Sequence, residues 1–173
     1  MKISSEFILK AMRVLAWIAF IGLLIKAGAV IMSYGVSIQN PEASKDLYKG
    51  MDLSRYFEYN FVHYSIITFY YIFLYLLQAY VALFATRLLS EINLEKPFTT
   101  TVASILQKIS SIIFGVWILA IVHNIHVELL AKYATIKAEP FAVEFIFVAG
   151  IVYILAQLFK KGIVMQNENE LTV

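Results

Sequence analysis

The chain has 173 residues, of which 61% are hydrophobic and 15% charged, against roughly 45–50% and about 25% in soluble domains; this excludes an ordinary soluble domain and points to one compact membrane domain over residues 1–173. The net charge of +2, carried by singly scattered basic residues, excludes a polyanion-binding surface, so no direct nucleic-acid contact is expected. Cysteine is absent, which excludes disulfides, thiolate metal sites and thiol nucleophiles.

The amino end carries Lys2, Lys10 and Arg13 ahead of an apolar run over 14–33. Ala27-Gly28-Ala29 mimics a signal cleavage site, but the apolar run continues to Met32 and Lys26 interrupts the stretch, so the segment is expected to be a retained first span. The chain turns polar over 37–60. Asn40-Pro41-Glu42 predicts an N-cap for a short helix ended by Gly50, and Asp52 predicts a second cap before Leu53, Tyr56 and Phe57. This loop is expected to be solvated, with its aromatics at the membrane interface.

The second span is expected over 61–86, free of formal charge except at His63 and crowded with tyrosine and phenylalanine on all sides. A polar segment over 87–108 follows, holding Glu91, Glu95, Lys96 and Pro97-Phe98-Thr99. Pro97 stops an incoming helix and the threonines can cap the next. Val102, Ile105, Leu106 and Ile109 keep helical spacing and predict a surface-lying turn feeding the third span, 109–130. Residues 109–127 carry no formal charge, as a crossing of about 20 residues requires. A short connection over 131–140 leads to Pro140 and a fourth span over 141–159, long enough if Glu144 lies within it. Lys160 and Lys161 close that span, Gly162 is positioned as a C-cap, and a polar tail follows over 160–173.

Eight Lys and Arg residues fall in the amino end, middle loop and tail, against five in the other two loops. The positive-inside rule then predicts an all-α integral membrane protein: an antiparallel four-helix transmembrane bundle with both termini cytoplasmic.

The Pro97-Phe98 step, together with Leu158-Phe159-Lys160-Lys161-Gly162 and the ending Asn167-Glu168-Asn169-Glu170-Leu171-Thr172-Val173, resembles an uncharacterised bacterial family of four-span inner-membrane proteins, the domain of unknown function 2975 (DUF2975). The hydropathy layout matches over nearly the whole chain, and Glu170 stands where the family pattern usually has aspartate. The resemblance implies an inner-membrane location and a small cytoplasmic helix-turn-helix regulator as partner, since members are often encoded beside one. Lys160, Lys161, Glu168, Glu170, Leu171 and Val173 are the residues on which such a partner would dock. No catalytic residue comes with the resemblance, no nucleophile–base motif is present, and the chain is read as non-enzymatic.

Lys26, His63, His123, Asn124, His126 and Glu144 form the candidate polar cluster. The predicted topology puts them in the outer half of the bilayer, His63 roughly 3 Å, His126 and Glu144 roughly 5 Å and Lys26 roughly 10 Å below its surface. The first reading is a hydrogen-bonded network gluing the helices, with Lys26 paired to Glu144. The alternatives are a metal site built from His63, His123, His126 and Glu144, or a proton- or ligand-sensing pocket. A b-type haem lacks the facing axial pair it needs, and no cofactor is expected. Gly22, Ala27-Gly28-Ala29 and the Ser111/Gly115 pair are read as close helix packing, with a homodimer as the minor option. The function expected is that of a sensor or anchor for the regulator, or else binding or transport of a metal ion, proton or small amphiphile.

Overall fold

The computed structural model describes residues 5–94, 96–134, 136 and 140–171, with side chains through Glu168. Lys2, Glu95, Lys137, Glu139, Thr172 and Val173, which enter the charge pattern and the tail motif, lie outside the described residues, as do the side chains of Asn169, Glu170 and Leu171. All regular structure among the described residues is helical: α1 (Ser5–Gln39), a 3₁₀ turn (Pro41–Lys45), α2 (Ser54–Tyr59), α3 (Phe61–Glu91), α4 (Thr100–Ala134) and α5 (Ile146–Leu171). Four of these helices are long and apolar enough to cross a membrane. The shortest has 26 residues, roughly 39 Å at 1.5 Å per residue, so each outreaches a hydrocarbon core of about 30 Å. Large apolar side chains stand exposed along them, among them Phe7, Ile25, Met32 and Phe147. Surfaces of that kind need lipid against them, and the chain is a helical multi-pass membrane protein.

The chain divides into two compact units. Unit one comprises the start of α1, residues 80–115 of α3 and α4 with their connection, and residues from 144 onward. Its core joins Phe84, Ile105 and Ile109 to Ile112 and Val152, and Val102, Leu106 and Ala156 to Leu88 and Phe159. The spacing Val102, Ile105, Leu106, Ile109 is thus a buried stripe, on one continuous α4 rather than on a separate surface turn. Thr99 Oγ1 accepts the Val102 N–H at 3.2 Å and caps that helix, as its sequence predicts. Ser110 donates to the Ala149 carbonyl at 2.9 Å, tying α4 to α5.

Gly162 is not a C-cap. α5 runs on through it to Leu171, so the predicted polar tail is helical. What requires glycine there is Phe98, whose ring lies where a Cβ would be: an atom built at that position stands 2.5 Å from Phe98 Cδ1. Phe98 also packs edge-on against Phe159, with centroids 5.3 Å apart. The Pro-Phe step and the Phe-Lys-Lys-Gly ending, far apart in sequence, are two sides of one contact. At Gly22, Gly28 and Gly115, by contrast, a Cβ would meet nothing within 4 Å, so no close approach is found at these glycines, whereas Ala27 of the predicted packing patch is buried in a core with Val30 and Tyr64.

Unit two comprises residues 21–79 and 116–143. Its loop was expected to be solvated, yet Leu47, Leu53 and Tyr56 are buried in one core with Val30, Tyr64 and Ile67. The backbone explains how a polar sequence achieves this. Asn40 caps the 3₁₀ turn, accepting from the Glu42 N–H. Lys49 and Gly50 both take positive φ, and Asp46 accepts the Gly50 N–H at 2.9 Å. Leu47 and Met51 are bonded, as are Leu53 and Ser44, so the turn folds Leu47 and Leu53 inward. Asp52 accepts the Ser54 N–H at 2.9 Å and starts α2. Burying a leucine side chain is worth about 1.5–3 kcal/mol, enough to hold such a loop shut. Ser37 belongs to α1 rather than the loop, because its hydroxyl donates to the Tyr34 carbonyl and meets the Tyr64 hydroxyl at 2.7 Å.

Candidate functional site

The site lies in unit two, where α3 and α4 bring three histidines together. His63, in the first turn of α3, and His126, eight residues from the end of α4, meet directly: Nδ1 of the first is 3.0 Å from Nε2 of the second. One imidazole therefore donates and the other accepts. Both rings are partly buried. Tyr59 of α2 stacks on His63 at 5.8 Å, and the edge of Tyr70 of α3 meets His126 at 6.1 Å.

His123 is one turn back on α4 and is completely buried. Its ring stacks on Phe141 with centroids 3.8 Å apart and planes 5° from parallel. Tyr70 and Tyr71 close two more sides, edge to face, at 5.4 and 5.7 Å. The neighbouring Asn124 fixes this arrangement. Its Oδ1 accepts the Phe141 N–H at 2.7 Å and its Nδ2 donates to the Phe141 carbonyl at 2.9 Å. The carboxamide oxygen can only accept, so His123 Nδ1, 3.3 Å from it, is the donor. That assignment leaves His123 Nε2 with a lone pair, buried and without a hydrogen-bond partner among the described residues. A buried polar atom of this kind is rare in a folded protein and calls for a chemical role.

The same clamp explains why the fourth helix begins later than expected. Asn124 takes both backbone groups of Phe141 out of helical bonding, Pro140 precedes it, and α5 starts only at Ile146. Glu144 consequently lies ahead of α5, exposed, its carbonyl accepting from the Phe147 N–H. It belongs to unit one, and the prediction that it sits inside a span does not hold. Lys26 is in unit two with its ammonium 4.2 Å from the centre of the Tyr75 ring and 5.9 Å from that of Tyr48. Tyr75 touches Tyr71, which touches His123, so Lys26 connects to the histidines through aromatic rings.

Of the predicted cluster, then, His63, His123, Asn124 and His126 converge. Among the described residues no three His, Asp or Glu side chains gather as a metal-binding group. Sequence reasoning missed the enclosing rings of Tyr70, Tyr71 and Phe141; the one available signal was Tyr70 standing seven residues, two helical turns, beyond His63 on the same face. Of the predicted docking residues, Lys160 donates to Gln107 Oε1 at 2.8 Å, and Lys161 and Glu168 are exposed on α5.

The family model described as "Protein of unknown function (DUF2975)" matches residues 39–173. No curated protein and no solved structure matches the chain. The matched stretch contains the whole histidine cluster and the Phe98–Gly162 contact, and leaves out most of α1.

Proposed function

We propose, for a chain that belongs to the DUF2975 family of proteins of unknown function, that it is a non-enzymatic membrane sensor whose histidine cluster takes up protons and whose cytoplasmic surface holds a small helix-turn-helix regulator. The observation that carries the reading is the 3.0 Å bond between imidazoles on two membrane-crossing helices. Histidine is the side chain that gains charge near neutral pH, and an ionisable group at membrane depth marks function. A proton added to the His63/His126 pair makes an imidazole–imidazolium bond, stronger than the neutral one, between helices that otherwise meet mainly through apolar groups. A proton added at His123 Nε2 puts a cation among the faces and edges of Tyr70, Tyr71 and Phe141 and shifts the balance of the Asn124 clamp. Among the described residues, the titratable groups in ring contact with the three imidazoles include Tyr59 from α2, Tyr70 and Tyr71 from α3, and the histidines themselves.

The membrane is the bacterial inner membrane, with four antiparallel spans and both termini in the cytoplasm. Opposite running of α1 and α3 is supported by contacts that pair Tyr34 with Ser65 and Lys26 with Tyr75. The excess of basic residues in the amino end, middle loop and tail supports the orientation. The docking surface is α5 beyond Phe159, with Lys161 and Glu168 exposed.

The test is cross-linking and capture of the tagged full-length protein from its own cells, at external pH of about 5.5 and about 7.5. The expected result is a small DNA-binding protein recovered in amounts that differ between the two pH values, the difference vanishing in the His63→Gln/His126→Gln variant. Absence of such a protein at both pH values, or a pH response unchanged in the variant, contradicts the proposal.

A further inference from the structure

Unit one carries a feature that the sensing proposal does not use. Two adjoining cavities, of about 500 and about 530 Å³, share Phe84, Ser104 and Lys108 and make one groove along α3 and α4. Its chemistry changes along its length. At one end Tyr80 and Ile112 line it; at the other Arg87, Thr100 and Thr101 do. Between them the Phe84 ring has two cations near it, the Arg87 guanidinium carbon 5.3 Å and the Lys108 ammonium 5.7 Å from its centre. Gln107 and Lys108 follow Ser104 by three and four residues and precede Ser111 by four and three, so α4 presents one exposed polar face to a groove beside apolar side chains. Gln107 holds a third cation, Lys160, at 2.8 Å.

Three of the four residues of this polar stripe lie ahead of the charge-free stretch 109–127, so the stripe stands where α4 enters the membrane, at the level of lipid headgroups. The stripe asks for a ligand with an anionic end and an oily end. We infer that this groove binds an anionic phospholipid, the phosphodiester lying between Arg87 and Lys108 with the hydroxyls of Thr100, Thr101 and Ser104 in reach, and an acyl chain running past Phe84 towards Tyr80 and Ile112. Arginine and lysine beside a span end recognise such headgroups, and the guanidinium fork fits two phosphate oxygens at once. Glu91 lines the same end and opposes an anion there, against the two cations that attract it. The inference rests on the membrane reading and on unit one alone, and stands or falls separately from the histidines.

The full-length protein, purified in mild detergent and supplied with phosphatidylglycerol or phosphatidylcholine, tests it by native mass spectrometry. The expected result is retention of one phosphatidylglycerol well beyond any phosphatidylcholine, weakened roughly thirtyfold in Arg87→Gln/Lys108→Gln, since each juxtamembrane cation is worth about fivefold. Arg87→Lys/Lys108→Arg, which keeps both charges, retains the lipid and separates loss of charge from loss of fold. Lys132→Gln, a cation of unit two, leaves retention unchanged. Equal retention of the two lipids, unaltered retention in the double Gln variant, or displacement by millimolar inorganic phosphate overturns the assignment.

Discussion

The two units differ in one row of polar side chains: both bury some, Thr86 and Ser110 in unit one among them, but unit one also leaves a row of four along a groove. In unit two several are turned inward. Ser37, Thr68 and His123 are buried, and Ser37 and Thr68 spend their hydroxyls on backbone carbonyls of their own helices. In unit one Ser104, Gln107, Lys108 and Ser111 face an open groove. The lesson is about reach: an inward polar group must find its partner within the unit, and a single substitution strands it, whereas a groove residue can be lost at the expense of a ligand alone. Substitutions inside unit two and at the Phe98–Gly162 contact of unit one should therefore weaken the fold, and substitutions in the groove should not.

The largest effect is expected at Asn124. Asn124→Ala removes both bonds to Phe141 and the acceptor for His123, leaving buried groups unsatisfied, and should lower stability by about 2–4 kcal/mol in denaturation from detergent micelles. Stability unchanged within about 0.5 kcal/mol would remove the clamp from the account. Next comes Gly162→Ala, which pushes a methyl into Phe98 and should cost about 1–3 kcal/mol. Phe98→Ala in the same chain should make Gly162→Ala nearly neutral, and additive losses in the double variant would show that the two residues do not touch.

These two effects also show what the sequence made legible. Chain-local signals read in part: the Asn40 and Thr99 caps depend on neighbours within a few residues and are found, whereas Asp52 accepts the Ser54 N–H from one residue ahead of the cap position, and Val102, Ile105, Leu106 and Ile109, whose spacing predicted a surface-lying turn, form a buried stripe of α4. The role of Gly162 did not read, because glycine followed by a polar tail looks like a helix end, and the ring that needs its missing Cβ is contributed by Phe98, on the connection ahead of α4, with that whole helix between them in the chain. Phe141 misled in the same way. Proline followed by an apolar run predicts a helix start, and only the side chain of Asn124 from another helix takes the backbone out of it. The loop over 37–60 looked solvated because its charges outnumber its leucines, although two leucines and a tyrosine suffice for a core once the turn geometry points them inward.

A smaller effect is expected for the imidazole bond itself. A cycle of His63→Phe and His126→Phe should yield a coupling of about 0.6–1.7 kcal/mol, the range of hydrogen bonds between membrane helices. No coupling would mean that the rings only neighbour one another. The smallest effect concerns the loop of unit two. The Ser54 hydroxyl and N–H bonded to Asp52 hold its carboxyl below the usual carboxylate range. A carboxyl depressed in the folded state stabilises above its unfolded value of about 3.9 and loses that contribution as pH falls through the lower folded value. The protection of amides at the start of α2, referenced to their intrinsic exchange rate at each pH, should therefore fall on acidification through that window in the wild type, and Asp52→Asn should abolish that change in protection. Identical pH profiles in the two proteins would refute the cap.

The claim on which the rest depends is that the histidines of unit two are a proton-binding cluster and not merely packed rings. It is tested most directly by ¹⁵N nuclear magnetic resonance of histidine-labelled full-length protein in lipid bilayers, followed from about pH 8 to about pH 5. At the upper end the account predicts a neutral His63/His126 pair sharing one hydrogen bond and a His123 ring carrying its proton on Nδ1. On acidification it predicts an imidazolium signal appearing with a simultaneous change in the signals of the remaining rings. Three histidines that stay neutral and unchanged throughout, or that titrate independently of one another, would contradict it.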